Sequence, residues 1–252
     1  MGTFFSSDQK DHVLTVTLNK PEQHNVLNPK EMAVLTDHLQ EQAKNDDIRV
    51  GILTAKGKSF CAGADLGELK DYNFSANPLE ILSNRIESLP FPVICKLNGG
   101  VYGGGTDLAL ACDFRIGTTA MKCFIPPAKI GIHYHASGMA RAVSRLGLGP
   151  SKRLFLALET MRGSELKEIG FLDYLAGDAD ELEQKTLALT ADLLALAPLS
   201  LRGMKATFND IARSAFDADA AVQRQMKCLE SDDFAEGRAA LAEKRAAKFT
   251  GG

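Results

Sequence analysis

An α/β layer architecture with an all-helical tail is the fold class that this sequence predicts, on three observations. Strand-like and helix-like segments alternate up to about residue 175, as they do when helices are layered on a sheet. From Asp180 onward only helical periodicity remains, with the change near Gly177-Asp178. Within the alternating part, five glycines in seven residues (Gly99 to Gly105) join an apolar strand to a helix. The expected division is therefore an α/β core over residues 1–177 and a helical region over 178–252.

The elements follow in order. Leu14, Val16 and Leu18 alternate with threonines, the period of a half-buried strand. A polar loop, Asn19 to Asn25, leads to Asn28-Pro29-Lys30-Glu31, which reads as a helix start with Asn28 as N-cap. Met32, Leu35 and Leu39 recur at helical spacing, carrying that helix to about Lys44. Arg49 to Thr54 is a second strand, followed by the small-residue segment Ser59 to Leu66. Leu79 to Leu89 is a helix ended by Pro90 and Pro92. Pro92 to Leu97 is a buried strand, and the next helix begins near Gly104. Phe114 to Gly117 is a short strand, and helices are expected around Met139 to Leu146 and Ser151 to Leu158. The tail divides into Glu181 to Leu196, Leu199 to Ile211, Ala215 to Glu230 and Phe234 to Lys248. Its apolar faces call for a partner surface, either the α/β body or another subunit.

Composition narrows the function. A formal charge of −3 over 252 residues, without a long basic run, argues against nucleic acid as partner. No apolar run reaches the roughly 18 residues of a membrane span. Met1 to Asp11 is short and polar, unlike a signal peptide. The five cysteines sit mostly in apolar runs and read as reduced, buried thiols of a cytoplasmic protein.

The glycine run carries the chemistry. Gly103, Gly104 and Gly105 lack a Cβ, so their backbone is free to lie directly against a ligand. A helix that starts there presents unpaired N–H groups and the positive end of its dipole. Other motifs fail on spacing. Neither glycine cluster has the i, i+2, i+5 pattern of a dinucleotide fingerprint, and no Gly-x-Ser-x-Gly elbow occurs. His133-Tyr134-His135 lacks the accompanying ligands of a metal site, and no metal is expected.

Two backbone-permissive loops, Ser59 to Asp65 and Asn98 to Asp107, each follow a strand, so each is placed to offer one N–H to a single oxygen. At these residues the sequence resembles the enoyl-CoA hydratase/isomerase family, the crotonase superfamily, over almost its whole length. Asn19-Lys20-Pro21 through Asn28 is similar to the family's N-terminal signature. Phe60-Cys61-Ala62-Gly63-Ala64-Asp65 is similar to its first oxyanion loop, and Asn98 to Gly105 to its second. Glu236-Gly237-Arg238 with Glu243-Lys244-Arg245 and Phe249 is similar to its C-terminal pattern.

The resemblance implies a crotonase-like spiral of ββα units and a C-terminal helical region used in trimerisation, as a homotrimer or a dimer of trimers. It implies an acyl-CoA thioester as ligand, with coenzyme A entering as part of the substrate and no separate cofactor. It assigns the oxyanion donors to the N–H groups of Ala62 and Gly104. It places the CoA along His24, Val26, Ala62, Gly63, Ala64, Asp65 and Leu66, with Lys244 as a phosphate partner. The activity implied is that of a lyase or isomerase of fatty acid metabolism.

The chain also departs from the family. A hydratase uses two carboxylates, one to activate water and one to deliver a proton. The first family glutamate becomes Asp107, and the second, aligned on Gly131, falls on Pro127. Nearby stand His133, Tyr134, His135 and Ser137. The spacing of Pro127, Gly131 and Tyr134 resembles the branch that decarboxylates malonyl-type CoA esters, although the histidine of that branch's first oxyanion loop is here Ala64. The expected catalytic residues are accordingly Asp107, Tyr134 and His133. The readings are an enoyl-CoA hydratase/isomerase-type enzyme, a decarboxylase or hydrolase using Tyr134 or His133, and an acyl-CoA-binding protein without catalysis.

Overall fold

The structure is a computed structural model that describes residues 4–65, 67 and 74–252. β1 (Phe5–Lys10) and β2 (Val13–Leu18) pair antiparallel, and α1 (Pro29–Gln42) follows. Asn28 caps α1 as the sequence predicts. Its side chain accepts from the Glu31 N–H at 2.9 Å, and the Glu31 carboxylate accepts from the Asn28 N–H at 3.0 Å. That reciprocal pair satisfies two N–H groups at the helix start.

One motif then repeats. β3 (Val50–Ala55) joins a first sheet, β4 (Ser59–Cys61) joins a second, and α2 (Pro78–Glu87) returns. β5 (Val93–Leu97), β6 (Gly100–Tyr102) and α3 (Gly104–Ala111) make the next turn. β7 (Phe114–Thr118), β8 (Lys122–Phe124) and α4 (Ala136–Leu146) make the third. α5 (Leu148–Phe155), β9 (Met161–Arg162), α6 (Gly163–Glu168) and β10 (Tyr174–Ala176) close the body. The tail is α7 (Ala179–Leu194), α8 (Pro198–Ala212), α9 (Ala218–Leu229) and α10 (Asp232–Glu243).

The larger sheet has the order β1-β2-β3-β5-β7-β10 and is parallel apart from the β1–β2 pair. The smaller has the order β4-β6-β8-β9, with β9 antiparallel to β8. Each turn therefore feeds one strand to each sheet before its helix, which is the spiral of ββα units expected above. The main core lies among these sheets and α1 to α4, with Phe60, Phe91, Leu82, Ile86 and Leu97 fully enclosed. α7 seats Leu182 and Leu193 on Val50, Ile94, Ile116 and Ala176 of the larger sheet.

Several elements differ from the expectation. β1 is a polar, mostly exposed edge strand with little hydrophobic alternation. β6 lies inside the glycine run, where a turn was expected, because Gly100 and Val101 pair with β4 and Val101 and Tyr102 pair with β8. β8, β9 and β10 have two or three residues each, too short for a periodic signal. The last helix stops at Glu243 rather than Lys248, since Lys244 takes a left-handed backbone with φ 54°. Among the described residues no single helix is long and apolar enough to cross a membrane.

Candidate active site

The site begins with sheet register. β4 and β6 are parallel neighbours, pairing Ser59 with Gly100 and Cys61 with Val101. Their C-terminal ends therefore emerge side by side, and so do the loops that follow. Gly63 has φ +84°, and a Cβ built there would fall 2.4 Å from the Gly104 nitrogen. A Cβ on Gly105 would fall 2.3 Å from the Cys61 carbonyl oxygen. Glycine is required at both positions because backbone meets backbone. Gly103, at φ 51°, turns the chain into α3, so that Gly104 is the first helical residue.

The hydrogen bonds of the first loop decide which of its N–H groups is available. Ala62 donates to the His24 carbonyl at 2.9 Å, so the donor expected from the sequence is already engaged. Gly63 donates to Cys61 Sγ at 3.3 Å, and Asp65 donates to the Leu27 carbonyl at 3.0 Å. Between them, the Ala64 N–H makes no hydrogen bond among the described residues, and neither does that of Gly104. Gly104 has none because the first N–H groups of a helix lack an intrahelical acceptor.

The 20–27 loop is held firmly against this one. Asn25 is buried, donates to the Lys56 and Ser59 carbonyls at 2.9 Å each, and accepts from the Lys20 N–H at 2.8 Å. Leu27 donates to the Gly63 carbonyl at 2.9 Å. His24, Val26, Ala62, Gly63, Ala64 and Asp65 are thus brought together, with the His24 ring 2.9 Å from Ser59 Oγ. Leu66 lies outside the described residues. Lys244 is the C-cap of α10, and no hydrogen bond or ion pair joins it to these loops among the described residues.

Asp107 stands one turn along α3 from Gly104 and is 2% exposed. Its Oδ1 is 2.5 Å from Arg141 Nη1, and its Oδ2 is 3.3 Å from His135 Nε2. Burial alone would raise the Asp107 carboxyl, but His135 and the Arg141 guanidinium outweigh it and hold the group below its ordinary value. Asp107 is therefore a buried, paired carboxylate. Arg141 also donates to Asn84 Oδ1 at 2.7 Å, and its Nε lies 3.3 Å from Glu87 Oε1. Glu87 additionally receives Arg145 at 2.9 Å and pairs with Arg213 at the end of α8. Its carboxyl, which burial would push up, is held down by Arg141 and Arg145.

The other expected residues lie on the segment entering α4. Pro127 opens a short 3₁₀ turn, Pro127–Ile130, and is buried. His133 is exposed and its Nδ1 donates to the Tyr134 carbonyl at 2.8 Å. The Tyr134 ring stacks on His135, with centroids 4.5 Å apart, and meets Phe155 edge-on at 5.0 Å. His135 is the N-cap of α4, and its Nδ1 accepts from the Gly138 N–H at 3.1 Å. With Nδ1 an acceptor, the proton of the neutral ring sits on Nε2 and faces Asp107.

Sequence reasoning missed Arg141, Glu87 and Glu80. A signal for Arg141 was present. It falls on the stripe of α4 that buries Gly138, Ala142 and Leu146, and a buried guanidinium demands a buried acid.

A two-sheet ββα spiral with two glycine loops converging at a helix start is the crotonase fold. The profile of the enoyl-CoA hydratase/isomerase family matches residues 8–252. Enoyl-CoA isomerase/hydratase fer4 of Mycosarcoma maydis is 33% identical over 269 residues, covering 98% of this chain and 95% of that protein. Short-chain-enoyl-CoA hydratase of Clostridium acetobutylicum is 28% identical over 246 residues, covering 94% of each. Among solved structures, an enoyl-CoA hydratase from Bacillus anthracis superposes with a TM-score of 0.88 at 29% identity, covering 99% of this chain and 100% of that one. The chain belongs to the enoyl-CoA hydratase/isomerase family.

Proposed function

We propose that this enzyme binds an acyl-CoA thioester with its carbonyl oxygen between the backbone N–H groups of Gly104 and Ala64, and processes it through an enolate. The observation that carries this reading is the contact of Gly63 with the Gly104 nitrogen, which brings two uncommitted N–H groups to one place. One such donor is worth about 2.7–4 kcal/mol where negative charge develops in a water-poor site. The pairing runs through Ala64 in place of Ala62, whose N–H is committed to His24. The CoA portion lies along the 20–27 loop and residues 62–65, which share a hydrogen-bonded ledge.

The second family carboxylate is absent at Pro127. That favours a proton shift, which needs one acid–base group, over hydration, which uses two. Purified protein given 3-hexenoyl-CoA should generate the conjugated 2-enoyl thioester, read by its ultraviolet absorbance. Crotonyl-CoA in the same assay should lose absorbance slowly. CoA binding with no change in either substrate would sink the enzymatic reading.

The same proposal extends to assembly. α8, α9 and α10 enclose an open apolar groove of about 840 Å³ that includes Met204, Phe208, Phe216, Val222, Leu229 and Phe234. A homotrimer or dimer of trimers would cover such a surface. Light scattering on the purified protein gives the state, and a monomer at micromolar concentration would overturn it.

A further inference from the structure

The row of charged groups that begins at Arg141 does not end at His135. α2 begins beside Gly104, since a Cβ on Gly104 would fall 2.5 Å from the Leu79 side chain. The next residue, Glu80, points its carboxylate at the start of α4. Its Oε1 accepts from the Ser137 N–H at 3.4 Å and lies 3.7 Å from His135 Nδ1. Arg141, Asp107, His135 and Glu80 therefore stand in sequence, each against the next. Side-chain exposure rises along the row, from 2% at Asp107 and 6% at His135 to 31% at Glu80. Asp107 has Arg141 on Oδ1, and its Oδ2, though without a hydrogen-bond partner, is buried against His135, so neither oxygen is open to a substrate in this structure. Glu80 is the one member of the row with its carboxylate open.

We propose that Glu80 is the acid–base carboxylate of this site, with His135 as its positioning residue and Asp107 fixing His135. The proposal rests on the thioester reading above and names the group that reading leaves unassigned. The step is a 1,3-proton shift. Glu80 takes a proton from Cα of a 3-enoyl thioester, and the electron pair of the broken C–H bond passes into a dienolate held at the carbonyl oxygen, so that Cγ is the carbon protonated next. The same proton returns from Glu80 at the other carbon, and the conjugated 2-enoyl thioester forms. Nothing is oxidised, and no water is consumed. The charged groups facing Glu80 across this row are His135 and, behind it, Asp107 and Arg141, so that one cation and one carboxylate stand behind the histidine.

The division of labour between His135 and Glu80 follows from the cap. His135 Nδ1 accepts from Gly138 and Nε2 is buried 3.3 Å from Asp107 Oδ2, so neither ring nitrogen is open to a substrate. Held in this way, the ring gives Glu80 a fixed neighbour at the entrance to α4.

The experiment compares wild type, Glu80→Gln, Glu80→Asp and His135→Asn on 3-hexenoyl-CoA. It reads kcat, KM, the pH profile and the melting temperature of each protein. General acid–base groups contribute about 100- to 10,000-fold. Glu80→Gln should therefore lose at least about 100-fold in kcat, with KM within a few-fold and the melting temperature unchanged. The acid limb of its pH profile should vanish. Glu80→Asp should recover part of the rate. His135→Asn keeps an oxygen to cap Gly138 but loses the link to Asp107, and should displace the acid limb without abolishing turnover. Full kcat and an unchanged pH profile in Glu80→Gln would overturn the proposal while leaving the thioester reading intact. A loss that tracks melting temperature in all three variants would also overturn it, since Glu80 would then be only a cap of α4. A wild type that binds CoA but turns over neither 3-hexenoyl-CoA nor crotonyl-CoA would overturn both.

Discussion

Arg141 Nη1 lies 2.5 Å from Asp107 Oδ1, and both side chains are buried, so the most conspicuous acid of the glycine hinge is an internal counterion. This one contact changes the chemistry expected of Asp107. Its carboxylate spends its charge on holding α4 to α3, and the open end of the row falls to another residue.

Removing the cation should therefore cost more than removing a surface charge. Arg141→Met leaves Asp107 and Glu87 buried with their shared partner gone. Breaking a buried pair from one side typically costs about 3–5 kcal/mol. Urea unfolding should show a loss of that order. A change under about 1 kcal/mol would mean that the pair is solvated in solution.

Acid should weaken the fold through the same groups. Asp107 and Glu87 are held below their ordinary values of 3.8 and 4.5, so the folded chain binds these protons less readily than the unfolded one. Their stabilisation is fully present above those ordinary values and is lost as pH falls through the depressed folded-state values. Melting temperature against pH should fall below about pH 4.5. The Asp107→Asn variant should show a shallower fall than wild type, and an identical slope would exclude Asp107 from the transition.

Gly63→Ala tests the loop junction. The substitution places a Cβ 2.4 Å from the Gly104 nitrogen and asks an L-residue to adopt φ +84°. The backbone conformation alone costs about 1–2 kcal/mol. Separation of the two N–H groups should lower thioester turnover about 100-fold or more, comparable to loss of one oxyanion donor. Assay beside Ala64→Gly, which leaves the N–H in place, distinguishes geometry from general damage.

Thiol chemistry should be confined to the tail. Cys61 and Cys123 are enclosed in the core, where burial pushes each thiol up to about 12, and Cys95 is raised by the same cause. Cys228, on α9, is half-buried. A disulfide reagent near pH 8 should modify one thiol of the native protein quickly and the other four only on unfolding. Fast labelling of Cys61 would show that the first loop opens.

Much of this was readable in the sequence. The N-cap at Asn28, the start of α3 at Gly104 and the change to helices after Ala176 all have local chemical signals. Short strands such as β6 and β8 do not, because pairing with distant neighbours creates them. The choice between Ala62 and Ala64 also lies beyond local reading. Both sit in one small-residue run, and only the approach of His24 decides which N–H is left without an acceptor. Glu80 belongs to a helix 57 residues before its partner Ser137, so nothing in its own surroundings marks it.

The contact between Gly63 and Gly104 joins successive turns of the spiral, and it exists only once both turns have docked. A ligand that grips the N–H groups on both sides of that contact would recognise the completed fold and nothing earlier on the folding route. By mass action, a CoA thioester at 100 times its dissociation constant would add about 2.7 kcal/mol to native stability. Saturation with substrate would thus also protect the chain against unfolding, coupling its lifetime to the supply of what it binds.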